Sequence, residues 1–168
     1  MRRRALGVAA PLALVALTAA LGLTGCGASS SSPSSDRAPA AASTAGVTVS
    51  GAYIPLPSMP DMAAGYFVVR NGGDRALTLT GVTSPQATSV TMHESTATTM
   101  VDLQKVAVPA HGSVAFARGG RHLMLMGLDP QPKVGQRVEL KLAFEGAPPV
   151  TVEATVQPLT YQPDQSGQ

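Results

Sequence analysis

Apolar residues between positions 46 and 158 recur at every second position in short bursts, and turn-forming residues break the bursts apart. Val47–Ile54, Gly65–Asn71, Ala76–Val82, Thr88–Glu94, Val101–Val108, Ser113–Ala117, His122–Gly127, Arg137–Phe144 and Val150–Gln157 carry β-branched or alternating apolar side chains. A period of two belongs to a strand with one face buried. The breaks are Asn71-Gly72-Gly73-Asp74, Ser84-Pro85, Pro109-Ala110-His111-Gly112, Arg118-Gly119-Gly120, Pro130 to Gly135 and Gly146 to Pro149. Glycine, proline and asparagine supply the backbone angles that turns require. Past the N-terminal segment, no stretch keeps a helical period for three turns. The pattern predicts one all-β domain over 46–158, an antiparallel sandwich or barrel of many short strands. Asn71–Arg75 reads as a hairpin connection.

The ends of the chain read differently. Met1-Arg2-Arg3-Arg4 gives a positive start, Ala5–Leu23 an apolar run, and Thr24-Gly25-Cys26 small residues leading to a cysteine. These parts in this order describe an export signal over 1–25. The apolar run approaches membrane-spanning length, but a spanning helix has no need of a cysteine behind small residues. Leu23-Thr24-Gly25-Cys26 resembles the lipobox of bacterial lipoproteins, which implies cleavage before Cys26 and lipid on its sulfur. The arginine triplet also fits a fragment of a twin-arginine signal, the less favoured reading. Residues 26–45 are mostly Ser, Ala and Pro, too polar to bury a core, and read as a flexible, lipid-anchored linker. Residues 159–168 read as a polar C-terminal tail. The expected location is the extracytoplasmic face of a bacterial cell membrane.

Processing changes the charge. The chain carries 12 Lys+Arg and 10 Asp+Glu, a net of +2. Removal of Arg2, Arg3 and Arg4 leaves 9 basic residues against 10 acidic, a net of −1. The basicity therefore belongs to the signal, and no basic patch interleaved with aromatics remains to suggest nucleic acid. Cys26 is the only cysteine. Once lipidated, it leaves no thiol for a disulfide, a redox centre or a metal-binding thiolate.

The chemistry gathers in one segment, His93-x6-Met100-x21-His122-x-Met124. Thioether sulfur is a soft, neutral donor that suits Cu(I) and serves hard cations poorly. Two imidazoles and two thioethers thus read as a Cu(I) site. Strand alternation puts His122, Met124 and Met126 on one face and Leu123 and Leu125 on the other, which belongs inside. His93 shares a face with Thr91, while Met92 lies with Val90 and reads as core. Glu94, next in the chain to His93, is a candidate to hold that ring's second nitrogen by a hydrogen bond. Met126 reads as a rim or core neighbour of the site. Met59 and Met62 offer a second soft site, although loop packing is the favoured reading. His111, in a glycine-containing break, reads as an exposed turn residue.

These residues resemble the PCuAC-type periplasmic copper chaperones, whose hallmark is a His, a Met, a spacing of 21, then His-x-Met. His93, Met100, His122 and Met124 match it. So do Ala64-Gly65-Tyr66-Phe67 running into Arg70-Asn71-Gly72-Gly73, Met92-His93-Glu94, Val108-Pro109-Ala110, and His122-Leu123-Met124-Leu125-Met126-Gly127-Leu128. The likeness covers roughly 47–157. The His93–Met100 spacing is shorter than the ten residues often seen, Tyr53-Ile54 stands where an aromatic-Val-Arg is common, and the tail lacks a His- and Met-rich extension. The resemblance implies a cupredoxin-like Greek-key barrel with an exposed Cu(I) site. It also implies delivery of copper toward cytochrome c oxidase, to a copper-accepting oxidase subunit or a thiol-bearing copper chaperone.

Rival functions are weaker. A blue-copper electron carrier needs a Cys thiolate with two His, and Cys26 is far from the segment. A metal hydrolase needs an open Lewis-acid position and a general base, which thioethers do not provide. The chain therefore reads as a non-enzyme. Copper storage or scavenging, or a non-metal interaction lipoprotein with packing methionines, are the alternatives. Cys26→Ser is expected to abolish lipid labelling and leave an uncleaved or mislocalised precursor. A variant processed and membrane-held like the parent would overturn the lipobox reading.

Overall fold

The computed structural model describes residues 41–163. The signal, Cys26 and most of the linker lie outside the described residues, as do the last five positions. Eleven strands follow in chain order: β1 (Ala42–Thr44), β2 (Val47–Pro55), β3 (Met62–Asn71), β4 (Leu77–Thr83), β5 (Ala87–Ser95), β6 (Met100–Leu103), β7 (Val106–Val108), β8 (Ser113–Phe116), β9 (Arg121–Leu128), β10 (Arg137–Glu145) and β11 (Val150–Gln157). The described residues contain no helix.

The strands run β6-β5-β9-β3-β2-β11-β10-β4-β7, with β1 on β2 and β8 on β3. Neighbours such as β9 and β3, or β10 and β4, are distant in sequence, as Greek-key crossovers require. All pairings are antiparallel except β11 with β2. β3 turns the corner. Its first half, Met62–Gly65, pairs with β9, while Phe67–Arg70 pairs with β8 and Val68–Asn71 with β2. One strand thus serves both sheets, the device by which a sandwich closes toward a barrel.

Alternation places the core as the sequence implies. Val47, Val49, Phe67, Val69, Leu123, Leu125, Leu140, Leu142, Val152 and Val156 are buried and point inward at every second position. Phe67 stacks on Phe116 at 4.4 Å between centroids, and Met92 is buried as core. Gly65 lies where β3 packs closely on β9. A Cβ there would stand 3.1 Å from Leu125 Cδ1 and 3.3 Å from Leu123 Cβ.

Four expectations change. Val101–Val108 is not one strand: β6 pairs with β5 and β7 with β4, so the chain crosses between sheets at Gln104-Lys105. Asn71–Arg75 is not a hairpin, because β3 and β4 are not neighbours; it is a crossover. Ala42–Thr44, at the end of the segment read as linker, pairs with Val47–Val49. The start of the polar tail packs down, with Tyr161 edge-on to Tyr53 at 5.1 Å and Leu159 O accepting from Arg118 Nη2 at 3.1 Å.

The crossover is held by Asn71, the one buried polar side chain among the described residues. Its Nδ2 donates to Arg75 O at 2.7 Å and to Pro109 O at 3.1 Å, and its Oδ1 accepts from Gly73 N at 2.9 Å. His111 joins the same knot. Its backbone N donates to Gly73 O, and its exposed ring meets Asp74 at 2.9 Å. Asn71→Ala leaves buried backbone groups without partners, which costs about 1–3 kcal/mol. Urea unfolding should show a lower midpoint with an unchanged slope. An unchanged midpoint would mean that the crossover does not need this side chain.

Candidate metal centre

β9 lies between β5 and β3, and its two inward leucines fix which way its other side chains point. Leu123 and Leu125 are fully buried. Arg121, whose guanidinium meets Glu94 at 3.2 Å, shares the leucines' parity at the strand's end. His122, Met124 and Met126 project from the opposite face. Antiparallel register places His93 of β5 directly across from His122, and Thr91 across from Met124. The two imidazoles lie face to face, with centroids 5.8 Å apart and planes 22° off parallel. Imidazole nitrogen binds a first-row ion at about 2 Å through a lone pair in the ring plane, so an ion shared by these two rings would lie at their edges and not between their faces.

The hydrogen bonds on the rings differ. Gly120 O lies 3.0 Å from His122 Nδ1. A carbonyl only accepts, so the ring proton sits on Nδ1 and the Nε2 lone pair is free. Backbone carbonyls set metal-ligating histidines in this way. His93 Nε2 lies 2.8 Å from Thr91 Oγ1. With the proton on Nε2 and the hydroxyl accepting, the Nδ1 lone pair is free. Glu94 does not take part: it is held by Arg121 on the other face. The ring's partner is the hydroxyl two residues back, on the same face of β5, rather than the adjacent carboxylate.

Met100 opens β6, opposite Ser95 of β5, and is 56% exposed. It faces a cleft of about 420 Å³ whose wall also includes His122, Met124, Met62, Tyr66 and Arg118. His93 is not in this wall; its ring stacks on that of His122. No carboxylate lines the cleft. The nearest in register is Asp102, across from His93, which accepts from Gln104 Nε2 at 3.0 Å. Among the described residues, no three His, Cys, Asp or Glu side chains come together in a way that could hold a metal. Three of the four sequence-derived donors thus share one cleft, and the fourth stacks on one of them. The set is neutral and half thioether, suited to a soft monovalent ion.

Besides His122, the cleft's polar side chains are Ser58, Ser95, Tyr66 and Arg118. The guanidinium sits 5.8 Å above the Tyr66 ring. Burial pushes the Tyr66 hydroxyl pKa up, Arg118 opposes this and Tyr53 adds to it, so the phenol stays protonated and uncharged. Met62 is the residue that sequence reasoning undervalued. The favoured reading of Met59 and Met62 was loop packing, yet Met62 is the first residue of β3 and lines the cleft, while Met59 is 53% exposed. The small residues Ala63 and Ala64 hid that start of the strand. His111 is exposed in its turn, as expected, and lies in the crossover knot rather than in this cleft.

Known proteins share this arrangement of strands. Residues 47–156 match the family described as "Putative lipoprotein LpqE-like". "Putative lipoprotein Lxx21020" of Leifsonia xyli subsp. xyli (strain CTCB07) is 33% identical over 129 residues, 74% of this chain and 75% of that protein. The copper-bound PCuAC domain from PmoF2 superposes with a TM-score of 0.63 at 28% identity, over 71% of this chain and 98% of that one. The solution structure of CuI-DR1885 from Deinococcus radiodurans gives 0.54 at 31% identity, over 63% and 74%. The barrel is therefore the cupredoxin-like fold of the PCuAC domains, and the chain belongs to the LpqE-like lipoprotein family.

Proposed function

We propose that this protein is an extracytoplasmic copper chaperone, lipid-anchored through Cys26, that binds Cu(I) with His93, Met100, His122 and Met124. The observation that carries the reading is the pairing of His93 with His122 beside a carboxylate-free cleft walled by Met100 and Met124. Similarity to a copper-bound PCuAC domain and to a Cu(I)-bound relative supports the choice of metal. Similarity to lipoproteins supports the anchor.

The donor chemistry suits a carrier. Thioethers bind Cu(I) without competition from protons, whereas imidazole must be neutral to ligate, so acid weakens the site through the two histidines alone. Thiolate binds Cu(I) more strongly than thioether and draws the ion off by ligand exchange. Delivery then runs to a thiol-bearing acceptor, an oxidase subunit's copper centre or a partner chaperone, with no turnover by this chain. Storage or scavenging is the alternative use of the same site.

The processed protein should bind one tight equivalent of Cu(I) in competition with a Cu(I) chelator. Loss of an outer-shell partner costs roughly 10–100-fold in metal affinity. Removing a ligand with His122→Ala or Met124→Ala should cost at least about 100-fold, while His111→Ala should cost nothing. A His122→Ala/Met124→Ala double variant with parental affinity would sink the ligand assignment.

Transfer has its own test. The Cu(I)-loaded protein is mixed with a reduced apo copper domain of an oxidase subunit, in excess, and metal is followed by mass spectrometry. Copper is expected on the acceptor. Copper held wholly by this protein would favour storage over delivery.

A further inference from the structure

The described residues hold more thioethers than the four-donor set uses. Met62 is paired in register with Met126 of β9. Met59 bridges back to Met62 across Pro60-Asp61. Directly opposed residues of an antiparallel pair project from the same face with Cβ atoms about 4.5–5.5 Å apart, and diagonal neighbours lie at about 7–8 Å, within reach of long side chains. Met124 is diagonal to Met62, two residues along β9 from Met126. The residue opposite Met124 on β3 is Ala64, which ends at its Cβ and leaves room above the sheet. Met62 and Met124 both line the cleft. Met59 and Met126 are exposed. Methionine ordinarily fills gaps in a core, but exposed methionines fill none. Exposed Met59 and Met126 thus stand beside Met62 and Met124 on the cleft wall.

We propose that Met59, Met62 and Met126 form a second, weaker Cu(I) station contiguous with the His-containing site, through which the ion passes on its way to or from an acceptor. The inference rests on the Cu(I) reading of that site. Three thioethers are soft enough for Cu(I) and carry no charge. They lack the stronger imidazole donors, so the station holds the ion less tightly. Each hand-over forms one Cu–S bond as one Cu–S or Cu–N bond breaks. Copper stays Cu(I), and thioether sulfur has no proton to release. The ion's single positive charge is unchanged throughout.

The test titrates Cu(I) anaerobically into the processed protein and into a Met62→Leu/Met126→Leu variant, with a chelator in competition and the methionine methyl resonances observed. Leucine keeps the volume and removes the sulfur. The parent should take up a weak second equivalent after the tight one, shifting the Met59, Met62 and Met126 methyls. The variant should keep the tight equivalent, lose the weak one, and pass copper to a dithiol acceptor more slowly. Met59→Leu, in an exposed turn, weakens the second equivalent without touching the barrel and serves if the double variant fails to fold. One tight equivalent in the parent, with those methyls unmoved, overturns the station and leaves the chaperone reading standing. A weak equivalent that survives in the double variant, or that Met59→Leu leaves undiminished, also overturns it. No Cu(I) bound by the parent overturns both readings.

Discussion

The position of Leu123 and Leu125 in the core is the constraint on which the site depends. Both are fully buried between β5 and β3. Side chains alternate along a strand, so burial of these two forces His122 and Met124 to the other face. A one-residue slip of β9 would put an imidazole and a thioether into the core and two leucines into water. Full burial of a leucine is worth about 1.5–3 kcal/mol, which makes the slipped register prohibitive. The same register brings His93 to His122. The site needs no strained backbone of its own, because apolar burial on one side of the sheet aligns the donors on the other.

Much of this was legible in the chain because the signals were local. Alternation in His122-Leu123-Met124-Leu125 gives both the strand and the two faces. Met92 likewise separates from His93 by parity alone. What escaped the sequence was long-range. The break at Gln104-Lys105 carries no proline or glycine, yet β6 and β7 belong to different sheets because the barrel has to close there. Asn71–Arg75 has the composition of a hairpin, and only the strand order reveals a crossover. Glu94 was the adjacent polar candidate for the His93 ring, but adjacent residues of a strand point to opposite faces, and Arg121 across the ladder takes the carboxylate. Met62 was obscured by the alanines and glycine after it, which lower the apolar signal where β3 has to pack closely on β9.

The two ends of β3 have different work. At Asn71 the chain is knotted by an amide that meets carbonyls from two connections, a fully paired polar group inside the protein. At Met62 the strand begins with a soft side chain beside a cleft, where Arg118 and Tyr66 are among the polar groups. Rigidity is concentrated at the end where directional hydrogen bonds specify geometry. The proposed centre would rely on thioether and imidazole donors, whose bonding to a soft monovalent ion tolerates a range of angles.

β6 is four residues long and stands at the end of the strand path, with β5 as its only ladder partner. β9, by contrast, is paired on both sides. Short edge strands with few buried side chains belong to the cooperative units that open at small free energy, well below global unfolding. Met100 rides on such a unit, whereas His122 and Met124 ride on one that opens only with the barrel. The candidate centre therefore sets three donors on strands paired on both sides and one on an edge strand that can fray: the Met100 thioether can swing away and return by local fluctuation while the core stays folded around the other three.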